Sequence, residues 1–522
     1  MKQLALLTLA VFVFASPAFG ADKSDASQAK QKAPTEKQSV THGTVTVEGH
    51  RVRYKAVAGI LVLKNNDEKP TATMSYTAYF KDGVDDESKR PITFMYNGGP
   101  GSSTMWLHMG SFGPVRVAGV DAGERASAPY KLVNNDYSLL DVSDVVFIDM
   151  PSTGFGRIIG KDEGGAGQAK DFFGIDQDAS AFAQFITEFL SKYQRWNSPK
   201  YLFGESYGTT RSAVLSDYLQ SRDNVGLNGV VLLSTILSFD VSDVDGPERN
   251  PGSDLPYALA LPTYAATAWY HHKLPNAPKE LEPFLKQVEQ FAMSDYIRAL
   301  NAGSTLDDAT RKAVVAKLHQ YTGLPESYIE KANLRINGGE FTKELLGDTD
   351  RTAGRLDTRY EGPTMDPLSQ GAEYDPQSAA ISQAYVALFN HYMRSTLKFG
   401  KDMHYRPNNY RGIYSGSGWD MKHQAPGTGY PQDIPNVMPD LAHAMKYNPQ
   451  LKVLLTGGYF DLATPFYAAI YTMHHLPIEK RLHKNIDIDF LQSGHMVYVH
   501  TQALKKLHDR VAKFIKSTTS AE

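Results

Sequence analysis

Three short stretches of this 522-residue chain carry residue types that chemistry could use. The first is Gly204-Glu205-Ser206-Tyr207-Gly208, entered from the apolar run Tyr201, Leu202, Phe203 and left through a segment with Val214, Leu215 and Leu219 on one helical face. A strand that reverses tightly into a helix brings backbones together and leaves no room for Cβ atoms, which accounts for the glycines. Ser206 sits at the tip, beside the unsatisfied N–H groups of a helix start. A serine there is a candidate nucleophile, and it needs a base to take its proton and a carboxylate to orient that base. With 42 glycines in the chain the pentapeptide could arise by accident, so its weight rests on the flanking pattern and on the other two stretches.

Strand, Gly-x-Ser-x-Gly and helix together resemble the nucleophile elbow of the α/β-hydrolases, where the acid and the histidine follow the serine, each on a loop after a late strand. Both places are filled. The apolar run KVLLT leads into Gly457-Gly458-Tyr459-Phe460-Asp461, and IDIDFLQ leads into Ser493-Gly494-His495. His474, His475, His483, His500 and His508 also follow Asp461, but they fall where helices or their connections are expected. A tetrahedral intermediate needs two N–H donors. One is expected from Tyr207, directly after the nucleophile, and the other from Asn97-Gly98-Gly99-Pro100-Gly101, an early strand-end loop.

The elements that would position these residues alternate along the chain. Val45, Val47 and Val52, then Ile60 to Leu63, then Met74 to Phe80 read as antiparallel strands ahead of the main sheet. Short apolar strands follow at Ile92 to Tyr96, Val142 to Asp149, Tyr201 to Phe203, Gly229 to Leu233, Lys452 to Thr456 and Ile486 to Leu491. Helical spacing through Phe182, Phe185, Ile186 and Leu190 lies between them, and a closing helix is expected over Val497 to Ile515. The pattern predicts an α/β fold with a central, mostly parallel sheet covered on both faces, antiparallel strands at its start, and a large helical cap. The expected organisation is a signal peptide over 1–20, a disordered linker over 21–43, core over 44–238, cap insertion over 239–441 and core again over 442–522.

Composition narrows the classes. A formal net charge of −3, with 42% hydrophobic and 21% charged residues, gives no reason to expect a nucleic-acid or anionic-membrane partner. Met1-Lys2, the apolar run Leu4 to Ala15 and Ala18-Phe19-Gly20 form a secretory signal pattern too short to span a bilayer, so a periplasmic or secreted protein is expected. The absence of cysteine excludes a thiol nucleophile and any Cys-based zinc site. Without His-Glu-x-x-His, and with His271-His272 and His474-His475 at the wrong spacing for one helical face, neither metal nor cofactor is expected.

The ordered motifs resemble the serine carboxypeptidases: Asn97 to Ser103 followed by Gly113-Pro114, Asp149-x-Pro151 with Gly154-Phe155, the elbow, Gly458-x-x-Asp461, and Gly494-His495-Met496-Val497. The resemblance implies Ser206, Asp461 and His495 as triad and the Gly99 and Tyr207 amides as oxyanion hole. It also implies Asn97, Gly98 and Glu205 as substrate-binding residues, with Asn97 and Glu205 on the terminal carboxylate of a peptide. A glutamate binds a carboxylate only while protonated, since like charges repel. The chain departs from the family at Ser111, where a second glutamate is usual before Gly-Pro, at Ser102, where cysteine is common, and at Tyr498, where proline follows His-Met-Val. Loss of the second acid keeps an esterase or acyltransferase with the same triad open as the alternative.

Overall fold

The computed structural model describes residues 34–119, 121–122, 127–242 and 251–519; the expected signal peptide and residues 21–33 of the expected linker lie outside the described residues. The centre is a ten-stranded sheet. Its principal strands are β1 (Lys37–Val47), β2 (His50–Lys64), β3 (Pro70–Lys81), β4 (Ile92–Tyr96), β5 (Asp144–Ile148), β6 (Lys200–Ser206), β7 (Gly229–Thr235), β8 (Lys452–Gly458) and β9 (Ile486–Leu491). Across the sheet they run β1-β2-β3-β5-β4-β6-β7-β8-β9, with the short strand Arg157–Ile158 added beside β3. Pairings up to β3·β5 are antiparallel, and every pairing from β5 to β9 is parallel. This is an α/β-hydrolase-like fold.

Two-residue alternation along the parallel strands feeds two cores. Leu202, Val230, Leu232 and Val453 pack on one face with Phe182 and Phe189 of α1 (Ile175–Lys192) and Val214 of α2 (Tyr207–Asp217). On the other face, Tyr201, Phe203, Val231 and Leu454 pack with Tyr385 of α3 (Pro376–His391) and with Leu507, Val511 and Phe514 of α4 (Thr501–Thr519). Strands buried on both faces read as continuous apolar runs, which is why they stand out in the sequence.

Three boundaries differ from expectation. β1 begins at Lys37, so Lys37 to Gly43, expected as the end of a disordered linker, pairs residue by residue with β2 from Lys37↔Ile60 to Gly43↔Tyr54. None of those seven residues is buried; an edge strand is held by its backbone ladder and needs no hydrophobic period to form. A helix, Met438–Tyr447, runs across the expected cap boundary at 441/442. The closing helix starts later than expected, because Val497–Val499 forms a separate 3-10 turn before α4.

The parallel direction sets the site. β4, β6, β8 and β9 all finish at one edge of the sheet, so the loops carrying Asn97, Ser206, Asp461 and His495 emerge side by side there. Between β7 and β8 the chain is mainly helical, including Leu255–Tyr270, Leu281–Phe291, Asp308–Thr322 and α3. Among the described residues, no helix is long and apolar enough to cross a membrane.

Candidate active site

β6 ends at Ser206 and α2 starts at Tyr207, so the turn has no spare residue. Ser206 carries φ 61° and ψ −130°, a backbone conformation that a side-chain-bearing residue adopts only when its surroundings impose it. The surroundings are glycines. A Cβ on Gly204 would lie 2.2 Å from the Gly208 carbonyl oxygen, and one on Gly98 would lie 2.5 Å from the amide nitrogens of both Tyr207 and Gly208. The Asn97 loop thus rests directly on the elbow, as the pairing of Tyr96 with Gly204 requires.

His495 and Asp461 meet as their strand-end positions suggest. Asp461 Oδ2 lies 2.7 Å from His495 Nδ1 and accepts the Thr464 hydroxyl at 2.7 Å, while Oδ1 accepts the Ala463 and Thr464 amides at 2.9 and 3.0 Å. The backbone of His495 is held at both ends, by the Leu356 carbonyl and by the Ser234 hydroxyl, each at 2.7 Å. With Nδ1–H facing a carboxylate, the other ring nitrogen is left as a base. Burial alone would lower the imidazole's pKa; the charges of Asp461 and Glu205 outweigh it and hold the ring above its ordinary value.

His495 and Ser206 line one cavity of about 480 Å³, together with Asn97, Gly98, Gly99, Glu205 and Tyr207. All eight sequence-expected site residues therefore gather, with Asp461 behind His495. Asn97 Oδ1 accepts the Leu107 amide at 3.0 Å, which turns the NH₂ end of the side chain away from that helix. Glu205 is 3% exposed. Burial pushes its carboxyl up to about 7, and Asp461 adds to the rise, against the opposing pull of His495, Tyr498 and Asn97. Ser111, where the resemblance would put a second glutamate, is occupied elsewhere: its hydroxyl donates to the Leu107 carbonyl at 2.5 Å and its own carbonyl accepts Asn135 Nδ2. Ser102, in the place of the usual cysteine, accepts the Trp106 indole N–H at 3.0 Å.

Several supporting residues went unread in the sequence. Arg211, fully buried on α2, forks onto Asp178 of α1 (Nε–Oδ2 2.6 Å, Nη2–Oδ1 3.2 Å) and donates through Nη1 to the Asn97 carbonyl at 2.9 Å. It ties the Asn97 loop to the elbow helix. The available signal was a single cation four residues after Tyr207, in a partly apolar helix whose one other charged residue is Asp217 at its end. Asp149, quoted in the sequence as part of a motif but without a role, tethers the end of the same loop to β3: it accepts the Thr104 amide and the Ser75 hydroxyl, both at 2.7 Å. Thr464 carries no local signal at all. Nor do Phe239, Arg355, Ile381 and Tyr410, which close the cavity from the helical segment between β7 and β8.

Residues 48–240 match the model of a family described as serine carboxypeptidase. That segment contains the Asn97 loop and the elbow, and ends well before Asp461 and His495. Pheromone-processing carboxypeptidase KEX1 of Saccharomyces cerevisiae is 29% identical over 141 residues, covering 26% of this chain and 18% of the yeast protein. A carboxypeptidase Y homolog of Arthroderma benhamiae is 26% identical over 237 residues, 43% of each chain. The chain thus spans less than half the length of these curated relatives. Among solved structures, a prohormone-processing carboxypeptidase from Saccharomyces cerevisiae, KEX1(ΔP), superposes with a TM-score of 0.49 and 14% identity, over 89% of this chain and 92% of that one.

Proposed function

We propose that this protein is a serine carboxypeptidase that removes residues from the C-termini of peptides through an acyl-enzyme. In this reading His495 Nε2 takes the Ser206 proton as Oγ attacks the scissile carbonyl, and Asp461 steadies the imidazolium through Nδ1–H. The Gly99 and Tyr207 amides receive the oxyanion. His495 then passes its proton to the leaving amine, the C-terminal residue departs, and water attacks the acyl-enzyme with the same proton shuttle in reverse. Asn97 and Glu205 hold the terminal carboxylate of the substrate. Residues 239–441 act as the cap over the cavity, and the signal pattern of 1–20 supports action after export, in the periplasm or outside the cell.

The observation that carries this reading is Glu205: a buried acid, held near neutral pKa, beside the candidate nucleophile and in the same cavity. A protonated carboxyl donates a charge-assisted hydrogen bond to a carboxylate, whereas an ester or an internal peptide bond offers it only a neutral and weaker acceptor. The family match over residues 48–240 supports the same conclusion.

The test uses a blocked dipeptide with a free C-terminus and its C-terminal amide, assayed from about pH 4 to 8 so that the Glu205 ionisation is crossed, with Ser206→Ala as control. The free acid should be cleaved and the amide spared. Cleavage of the free acid should fade as pH passes about 7 and Glu205 ionises. Equal cleavage of both, or rapid turnover of simple esters with neither peptide cut, supports the esterase or acyltransferase alternative.

A further inference from the structure

Tyr498 stands three residues past His495, in the 3-10 turn Val497–Val499, and is 2% exposed. Its ring occupies a place made for it: a Cβ on Gly110 would lie 2.4 Å from the Tyr498 ring and 2.6 Å from the Tyr385 hydroxyl. The phenol lies within interaction range of the Glu205 carboxyl, and each group acts on the other's ionisation. Yet Tyr498 Oη and Glu205 Oε2 are both buried and, among the described residues, neither has a partner of ordinary hydrogen-bond geometry. Two adjacent polar atoms left unsatisfied in a buried place are costly unless something completes them. The groups facing Glu205 are His495 and Asp461 from the late loops, Asn97 from the β4 loop, Tyr498, Tyr385 of α3, and Tyr410 at the cavity rim.

We propose that Tyr498 is a positioning residue for carboxylate recognition: its O–H is donated to Glu205 Oε2, so that the Glu205 proton stays on the oxygen facing the cavity, where a peptide's terminal carboxylate receives it. The proposal rests on the carboxypeptidase reading. A phenol can hold this orientation at any pH below its own ionisation, which burial moves far above the ordinary tyrosine value. A second carboxyl would instead share and exchange the proton. The clamp then titrates as one acid, and the donor tunes that acid by favouring its charged form.

The experiment compares wild type and Tyr498→Phe on a blocked dipeptide and on its methyl ester, with KM and kcat resolved across pH. Wild-type KM for the free acid should climb as pH passes the Glu205 pKa, while the ester shows no such break. Removing a donor from the ionised carboxyl should move the break upward by about one pH unit, the size expected for a hydrogen bond to a charged group. An intact triad in the variant is checked by its rate of labelling with an active-site phosphonate. A break that stays put or moves down, or an equal loss on acid and ester, overturns the role of Tyr498 and leaves the carboxypeptidase reading standing. A wild type that turns over both substrates with no break in KM overturns the carboxypeptidase reading, and this proposal with it.

Discussion

The two halves of the cavity differ in how their polar atoms are satisfied. Asp461 has both oxygens occupied, by two amides, one hydroxyl and the imidazole. Glu205, close by in the same site, has an oxygen with no partner of ordinary geometry. The first arrangement is finished before substrate arrives, as a group must be if it is to hold an imidazole in one tautomer and orientation. The second is unfinished, and its carboxyl is pushed up to about 7 by burial. Saturated polar groups hold geometry, whereas unsatisfied ones leave energy to be gained on binding. The same contrast separates Arg211, which spends its guanidinium on Asp178 and the Asn97 carbonyl, from Asn97, whose amide NH₂ faces away from the helix that fixes it.

The comparison is broken most directly by Asp461→Asn. An amide in that place presents a donor where a carboxylate accepts Nδ1–H, which favours the wrong tautomer of His495. We expect kcat to fall by about 10⁴-fold on free-acid peptide and ester alike, since the change acts on chemistry and not on carboxylate recognition. Steady-state kinetics on both substrates, with circular dichroism to confirm the fold, measure it. A loss confined to the free acid would mean that the two halves are not separate in function.

Much of this division was legible in the sequence, and the reason is steric. Gly98, Gly204 and Gly208 are glycines because backbone atoms stand where Cβ atoms would go, and a constraint of that kind is written locally. The late strands were legible because burial on both faces makes them uniformly apolar. Lys37 to Gly43 was not, because an exposed ladder leaves no period in the side chains. The partner of Arg211 lies 33 residues away and that of Thr464 is the neighbouring loop acid; in neither case does residue type announce the pairing. Tyr498 was visible as a departure from the serine-carboxypeptidase pattern, yet the seat of its ring beside Gly110 is something only the fold reveals.

Glu205→Gln sharpens the comparison from the other side. A glutamine can keep its carbonyl toward the Tyr498 hydroxyl and offer N–H to the cavity at every pH. In the proposed clamp the wild-type acid would hold a carboxylate only while protonated, and would lose that hold as pH rises through about 7. At one unit above the pKa about a tenth of it remains protonated. The variant should therefore lose the pH break in KM for the free acid, and near pH 8 should bind it up to about tenfold better than wild type. Ester kinetics should keep following the ionisation of His495. A break that persists in the variant would assign the titration to another group.

Thr464→Val should have the smallest effect, and its size tests the idea of saturation itself. The substitution removes one hydroxyl from Asp461 Oδ2 and leaves the Ala463 and Thr464 amides on Oδ1 and His495 on Oδ2. A buried hydrogen bond to a charged group is worth about 1.5–3 kcal/mol, but here the remaining partners hold the carboxylate near its place and a cavity water can take up part of the loss. We expect kcat to fall roughly three- to tenfold on both substrates, about 1 kcal/mol of transition-state stabilisation, with a small drop in Tm. If the loss instead approached that of Asp461→Asn, the acid would be standing on one hydroxyl rather than on a full set of donors. The contrast with Glu205 would then lie in the identity of the partners and not in their number.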